Sequence, residues 1–247
     1  NIKHVIGVVS GKGGVGKSLV TSLLASEMQK RGKKVAILDA DVTGPSIPKL
    51  LGIDRPPYVE NNKIQMPATA NGIKVLSVNL LLKDDGAPVV WRGPLISGTI
   101  KQFWEDGAWD GLDFAVVDLP PGTADAPLTV MQSIQVDGIL AVTMPQSLST
   151  MIVQKQINLG KMMNVPLLGL VENMSYAVCP HCGERWDLFG SSHREEIEKL
   201  FNLKTLARIP VDQKLAELGD AGRLEEYENE ELMQALTAAA LGVEVRA

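Results

Sequence analysis

The first apolar run, His4-Val5-Ile6-Gly7-Val8-Val9-Ser10, is short, nearly continuous and closed by a glycine-rich stretch, a pattern that predicts a fully buried strand. Residues 17–31 then place apolar side chains at helical spacing and stop at Gly32, and Val35–Leu38 predicts a second short strand ending in Asp39-Ala40-Asp41. From there to about residue 70, Pro, Gly and Asn dominate and periodicity fades, apart from one short helix near 46–51. Ile73–Val78 reads as a strand and 93–106 as a helix. Beyond this the alternation becomes regular. Strands are expected at Phe114–Val117 and Ile139–Thr143 with a helix between them after PPGTAD, a helix over 149–163, and a strand at Leu167–Val171 after Pro166. A polar loop interrupts, followed by a helix at about 191–201, a strand around 204–209 and acidic helices to the end. Apolar strands alternating with amphipathic helices predict an α/β fold, a mostly parallel sheet flanked by helices on both faces. Without a repeat, a low-complexity tract or a linker, residues 1–247 are expected to form a single domain.

Composition narrows the classes. The 247 residues are 45% hydrophobic and 21% charged, an ordinary globular balance able to bury a core without disulfides. A formal net charge of −5 argues against nonspecific binding of nucleic acid or of an anionic membrane surface. No stretch has the length and apolarity of a membrane span, no secretory leader is evident, and two cysteines make no disulfide scaffold. A reducing, cytoplasmic setting is the expectation.

The chemistry begins at Gly11-Lys12-Gly13-Gly14-Val15-Gly16-Lys17-Ser18, which follows a strand and opens a helix, as a P-loop must. Its glycines let backbone N–H groups turn toward phosphate oxygens. Lys17 can reach the β and γ phosphates, and the Ser18 hydroxyl can ligate Mg²⁺. Three carboxylates stand where the same chemistry needs them. Asp118 closes an apolar strand before Pro120-Pro121-Gly122-Thr123, at the end of a strand where α/β sheets bind ligands. We assign it, with Asp39, to Mg²⁺ or its waters, and Asp41 to the attacking water. Gly122 can offer its N–H to the γ-phosphate, making its loop a sensor of nucleotide state.

The cysteines, Cys179 and Cys182, sit in VENMSYAVCPHCGERWDLFG. Their spacing is that of a thioredoxin-like redox pair, but a polar lead-in and an immediate Gly183 fit a redox helix poorly. An inert surface pair is a second reading. A self-contained zinc site needs two more ligands, and His181, between the cysteines, is awkwardly placed for a shared tetrahedron. A symmetric reading remains: in a twofold dimer the two loops meet and supply four thiolates, suited to zinc or to an iron–sulfur cluster.

Two resemblances bear on these readings. GKGGVGKS resembles the deviant Walker A motif of SIMIBI-type P-loop ATPases, a class that implies Lys12 crosses a dimer interface to the partner's nucleotide and aids hydrolysis there. Nearly the whole chain resembles the Mrp/Nbp35 (ApbC-like) family of iron–sulfur cluster carrier ATPases. The matching pieces are GKGGVGKS, DADVTGPSIP, WRGP, VVDLPPGTAD and VPLLGLVENMSYAVCPHCG. That resemblance implies a homodimer that binds and slowly hydrolyses ATP with Mg²⁺. It further implies a [4Fe–4S] cluster bridged between subunits through Cys179 and Cys182, in a loop at about 172–190, and passed to apoprotein recipients. It also implies that Asn173 contacts the adenine, with Pro210 and Asp212 near the base. Thr43 stands where the family often has tyrosine, Ser191-Ser192-His193 where many relatives carry glycines, and the cysteine cluster of the Nbp35 branch does not appear in these residues, so the simpler Mrp type fits better. The alternatives are a zinc-bridged nucleotide-binding scaffold, and a Min/Par-like positioning ATPase. A Min-type tail should be basic and amphipathic, whereas ELMQALTAAALGVEVRA is short of cations.

Overall fold

A computed structural model describes residues 2–41, 46–81, 93–122, 125–147, 150–190 and 192–244. Thr43, Trp91, Arg92, Thr123 and Ser191, all singled out by the sequence patterns, lie outside the described residues. The first half of the chain runs β1 (His4–Ser10), α1 (Lys17–Lys30), β2 (Val35–Asp39), α2 (Ile47–Leu50), β3 (Tyr58–Glu60), β4 (Lys63–Gln65), β5 (Lys74–Ser77), α3 (Gly93–Asp106) and β6 (Phe114–Asp118). The second half continues with α4 (Asp125–Ser133), β7 (Gly138–Thr143), α5 (Thr150–Met162), β8 (Leu167–Glu172), β9 (Ala177–Val178), β10 (Arg185–Trp186), α6 (Arg194–Phe201), β11 (Thr205–Arg208), α7 (Gln213–Asp220) and α8 (Glu230–Glu244).

Seven strands form one sheet in the order β11-β8-β7-β1-β6-β2-β5, every pairing parallel. Because side chains alternate along a strand, each strand feeds two cores. Ile6, Val8, Ile37, Val116 and Leu140 face Val20, Leu23 and Leu24 of α1 and Leu232 and Leu236 of α8. Their neighbours Val5, Val9, Leu38, Val117 and Ile139 face Ile100 and Phe103 of α3, Met131 of α4 and Val153 of α5. Helix α1 is therefore walled in by sheet and helices, and residues as polar as Thr21, Ser22 and Ser26 are buried along it. Consecutive connections leave β1 toward opposite ends of the sheet, β2 on one side and β7 and β8 on the other, which opens a crevice at the carboxyl ends of the strands.

The predicted strands and helices of the sheet are all present, within one to three residues of the expected bounds; α6 starts at Arg194. Two hairpins were not foreseen. In the aperiodic stretch, β3 and β4 pair across Asn61-Asn62, whose φ values of 49° and 60° give the left-handed pair that a tight hairpin turn needs. The cysteine loop is itself a hairpin, with Ala177 paired to Trp186 and Val178 to Arg185.

Candidate nucleotide site and cysteine hairpin

The loop between β1 and α1 is fixed at three points. Val15 is buried, whereas Lys12, Gly13 and Gly14 are exposed. Gly16 caps α1 in the left-handed region at φ 85°, and a Cβ there would lie 2.1 Å from the Asn173 amide nitrogen. A Cβ on Gly11 would come equally close, 2.1 Å, to Cγ2 of Ile152. These glycines are thus demanded by backbone conformation and by close approach.

The three carboxylates converge on the first turn of α1. Asp39 and Asp118 are register partners on adjacent parallel strands, on the face that meets α1. Lys17 is only 5% exposed, and its Nζ lies 2.8 Å from Asp118 Oδ2 and 3.2 Å from Asp41 Oδ2. Ser18 donates to Asp118 Oδ2 at 2.6 Å, and Thr21 to Asp118 Oδ1 at 2.8 Å. Asp39 accepts from Ser77 Oγ at 2.9 Å and from the Asp41 N–H at 3.2 Å. Burial, followed by the neighbouring Asp118 charge, pushes the Asp39 carboxyl up to about 8. Burial also raises Asp118, against the pull of Lys17 and the two hydroxyls. Two buried carboxyls sharing one ammonium make a site that gains from added positive charge. The donor set is all oxygen, from Ser18, Asp39 and Asp118, which suits Mg²⁺. Thr21 and Ser77 escaped sequence reasoning. Thr21, one turn beyond Lys17, carried a positional signal; Ser77 becomes visible only through the pairing of β5 with β2.

A cleft of about 710 Å³ opens above this cluster. Gly13, Gly14, Gly16, Lys17, Ser18 and Asp41 line one end of it, and Asn173, Pro210, Val211 and Asp212 the other. The topology therefore brings the P-loop together with the three residues expected near a base. Asn173 is buried and at present engaged within the protein: Nδ2 donates to the Val15 carbonyl at 3.0 Å, and Oδ1 accepts from the Met174 N–H at 2.9 Å. The Gly122 N–H likewise donates to the Ser10 carbonyl at 2.9 Å, so an offer to a phosphate requires that bond to open.

At the same edge of the sheet, the β9–β10 hairpin closes around Cys179 and Cys182. The Cys179 N–H donates to the Glu184 carbonyl and the Gly183 N–H to the Cys179 carbonyl, both at 2.9 Å, with Gly183 at φ 74°. The Cys182 and His181 N–H groups and the Cys182 thiol point at the Cys179 sulfur and lower its pKa, favouring the thiolate that binds metal. Both cysteines are free, Cys182 exposed. Among the described residues, no group of three or more His, Cys, Asp or Glu could hold a metal ion. The hairpin of one chain thus brings two free thiols together. Val178 and Trp186 beside it are 46% and 52% exposed, with Leu188 and Phe189 also open.

A parallel α/β sheet, a P-loop at its central strand and carboxylates at the adjoining strand ends define a P-loop NTPase. The ParA family model described as NUBPL iron-transfer P-loop NTPase matches residues 1–243. The iron–sulfur cluster carrier protein of Methanocaldococcus jannaschii is 48% identical over 223 residues, covering 90% of this chain and 77% of that protein. The carrier of Clostridium perfringens is 43% identical over 235 residues, covering 92% and 82%. The solved structure of a nucleotide-binding protein from Archaeoglobus fulgidus in complex with ADP superposes with a TM-score of 0.84 at 44% identity, covering 93% of this chain and 90% of that one. MinD of Aquifex aeolicus, at 20% identity and a TM-score of 0.65 with 97% of each chain covered, shares the fold. The chain belongs to the Mrp/Nbp35 (ApbC-like) family of iron–sulfur cluster carrier P-loop NTPases, within the ParA/SIMIBI class.

Proposed function

We propose that this protein is an ATPase that carries a [4Fe–4S] cluster between two copies of itself and releases it to apoproteins. The observation that supports the reading is the pairing of a P-loop set against buried carboxylates with a surface hairpin holding two free cysteines, one with a favoured thiolate. In the nucleotide site, the P-loop N–H groups and Lys17 hold the phosphates. Lys17 must then leave part of its contact with Asp118 and Asp41. Mg²⁺, when bound, would supply neutralisation of the phosphate charge. Ser18, Asp118 and Asp39 hold the ion or its waters. Asp41, released from Lys17, orients the attacking water, and exposed Lys12 stabilises charge in the partner's site. Gly122 exchanges its bond to Ser10 for the γ-phosphate. Asn173, with Pro210 and Asp212, receives the base.

The cluster is cargo. Cys179 and Cys182 from each of two chains complete its four thiolates, and the exposed apolar rim of the hairpins covers it. A resident zinc would satisfy the same sulfurs. Among the described residues no helix is long and apolar enough to cross a membrane.

The test separates the two sites. Lys17→Met should abolish ATP turnover while anaerobically reconstituted iron and sulfide content stays near wild type. Cys182→Ser should lose the iron and keep turnover. Retention of iron by Cys182→Ser, with none transferred to an apoprotein, would overturn the carrier reading and leave the ATPase standing.

A further inference from the structure

Glu172, the last residue of β8, is 1% exposed and has no part in the phosphate site. Its carboxylate accepts from the hydroxyls of Ser175 and Ser192 and from Arg208 Nε, the last at 3.2 Å. Arg208 also donates from Nε to Ser175 at 2.7 Å and from Nη2 to Asp187 Oδ1 at 3.4 Å. Its guanidinium stacks 5.3 Å from the centre of the Tyr176 ring, and Arg185 of β10 stacks on the same ring at 4.9 Å. Tyr176 immediately precedes β9, while Arg185 and Asp187 belong to the returning arm. One buried carboxylate therefore anchors both arms of the cysteine hairpin at its base.

The same short segment is tied to the nucleotide cleft. Asn173, next to Glu172, holds the P-loop carbonyl of Val15. Ile209 and the cleft wall that follows it, Pro210–Asp212, are laced to it by three backbone bonds: Ile209 N–H to Glu172 O, Ser175 N–H to Ile209 O and Val211 N–H to Tyr176 O. Between the two functions stands Met174 at φ 52°, a left-handed conformation that a methionine adopts only when its surroundings impose it. Ser192, in the stretch that departs from the glycine-rich pattern of many relatives, is here a working ligand of the hub and also accepts from the Arg194 N–H at 3.2 Å.

We propose that Glu172 is a positioning residue that transmits occupancy of the cleft to the cysteine hairpin, with Ser192 and Arg208 as its partners. The proposal rests on the nucleotide-binding reading above. A base that draws Asn173 from Val15 shifts the backbone on which Glu172, Ser175 and Tyr176 sit. The clamped serines and Arg208 carry that shift to Arg185 and Asp187, and so to the spacing and exposure of Cys179 and Cys182.

The experiment is hydrogen exchange of hairpin amides 177–190 in the full-length protein, with and without MgADP, for wild type, Glu172→Ala, Arg208→Gln and Ser192→Gly. Wild type should bind MgADP and change hairpin exchange by about threefold or more. The variants should bind MgADP and lose most of that difference, with Ser192→Gly, the mildest, retaining part of it. A merely structural role would speed exchange equally in both states and leave the ratio intact. A preserved ratio in the variants, or a wild-type hairpin indifferent to bound MgADP, overturns the inference and spares the proposed function. Failure of wild type to bind MgADP overturns both. If Glu172→Ala does not fold, the other two variants decide on the same criterion.

Discussion

Buried charges of both signs crowd the first turn of α1. Asp39 and Asp118 are register partners on adjacent strands, and Lys17 stands between Asp118 and Asp41. The folded pKa of Asp39, about 8, lies above its ordinary value of 3.8, so the folded state holds a proton that the unfolded chain gives up. Such a group contributes stability fully below pH 4, and the contribution is lost as pH rises toward 8. In EDTA, the melting temperature should therefore fall between pH 6 and pH 8; Mg²⁺ should oppose the fall by favouring the ionised form, and Asp39→Asn should flatten it. Scanning calorimetry at the two pH values checks all three. If Lys17 is the cation that meets the phosphates, as proposed, Lys17→Met should lower ATP turnover by about 10²-fold or more, read as phosphate release.

At the level of elements, the loop entering α1 is held by conformation as much as by contact. Gly16→Ala puts a side chain at φ 85° and against the Asn173 amide, which should cost about 1–3 kcal/mol and at least tenfold in nucleotide affinity. Gly13→Ala, with nothing within 4 Å of the added Cβ, should stay within about 0.5 kcal/mol of wild type. Thermal unfolding and nucleotide titration of the pair check this. The sheet strands and their helices were legible because burial on two faces leaves continuous apolar runs, and the glycine loop was legible because phosphate binding dictates its spacing. The β3–β4 hairpin was missed because its strands are three residues long, β3 exposed and β4 only half-buried, so no apolar pattern marks them; only Asn61-Asn62 hinted at a turn. Ser77 and the Glu172 cluster were hidden for another reason. Apart from Ser175, their partners lie 20 or more residues off in sequence, and only strand register or the return of β11 brings them together.

For the whole molecule, completeness is the question. The described residues of one chain bring a P-loop and its carboxylates together but offer only two free thiols, and Lys12 is exposed. On the proposed carrier reading, a symmetric pair would put both features to use. If Lys12 acts in its partner's site, Lys12→Ala and Asp41→Asn chains should each be inactive alone. Mixed, they should recover up to about a quarter of wild-type turnover, because half the dimers are mixed and each holds one intact composite site. Absence of recovery in mixtures shown to exchange subunits would place Lys12 in its own chain's site rather than its partner's.

The most direct test of the carrier account is native mass together with iron and sulfide analysis of the anaerobically reconstituted protein. The account predicts about four irons and four sulfides on a species of two chains, lost in Cys182→Ser. A cluster on one chain alone, or a single zinc that iron and sulfide do not displace, would contradict it.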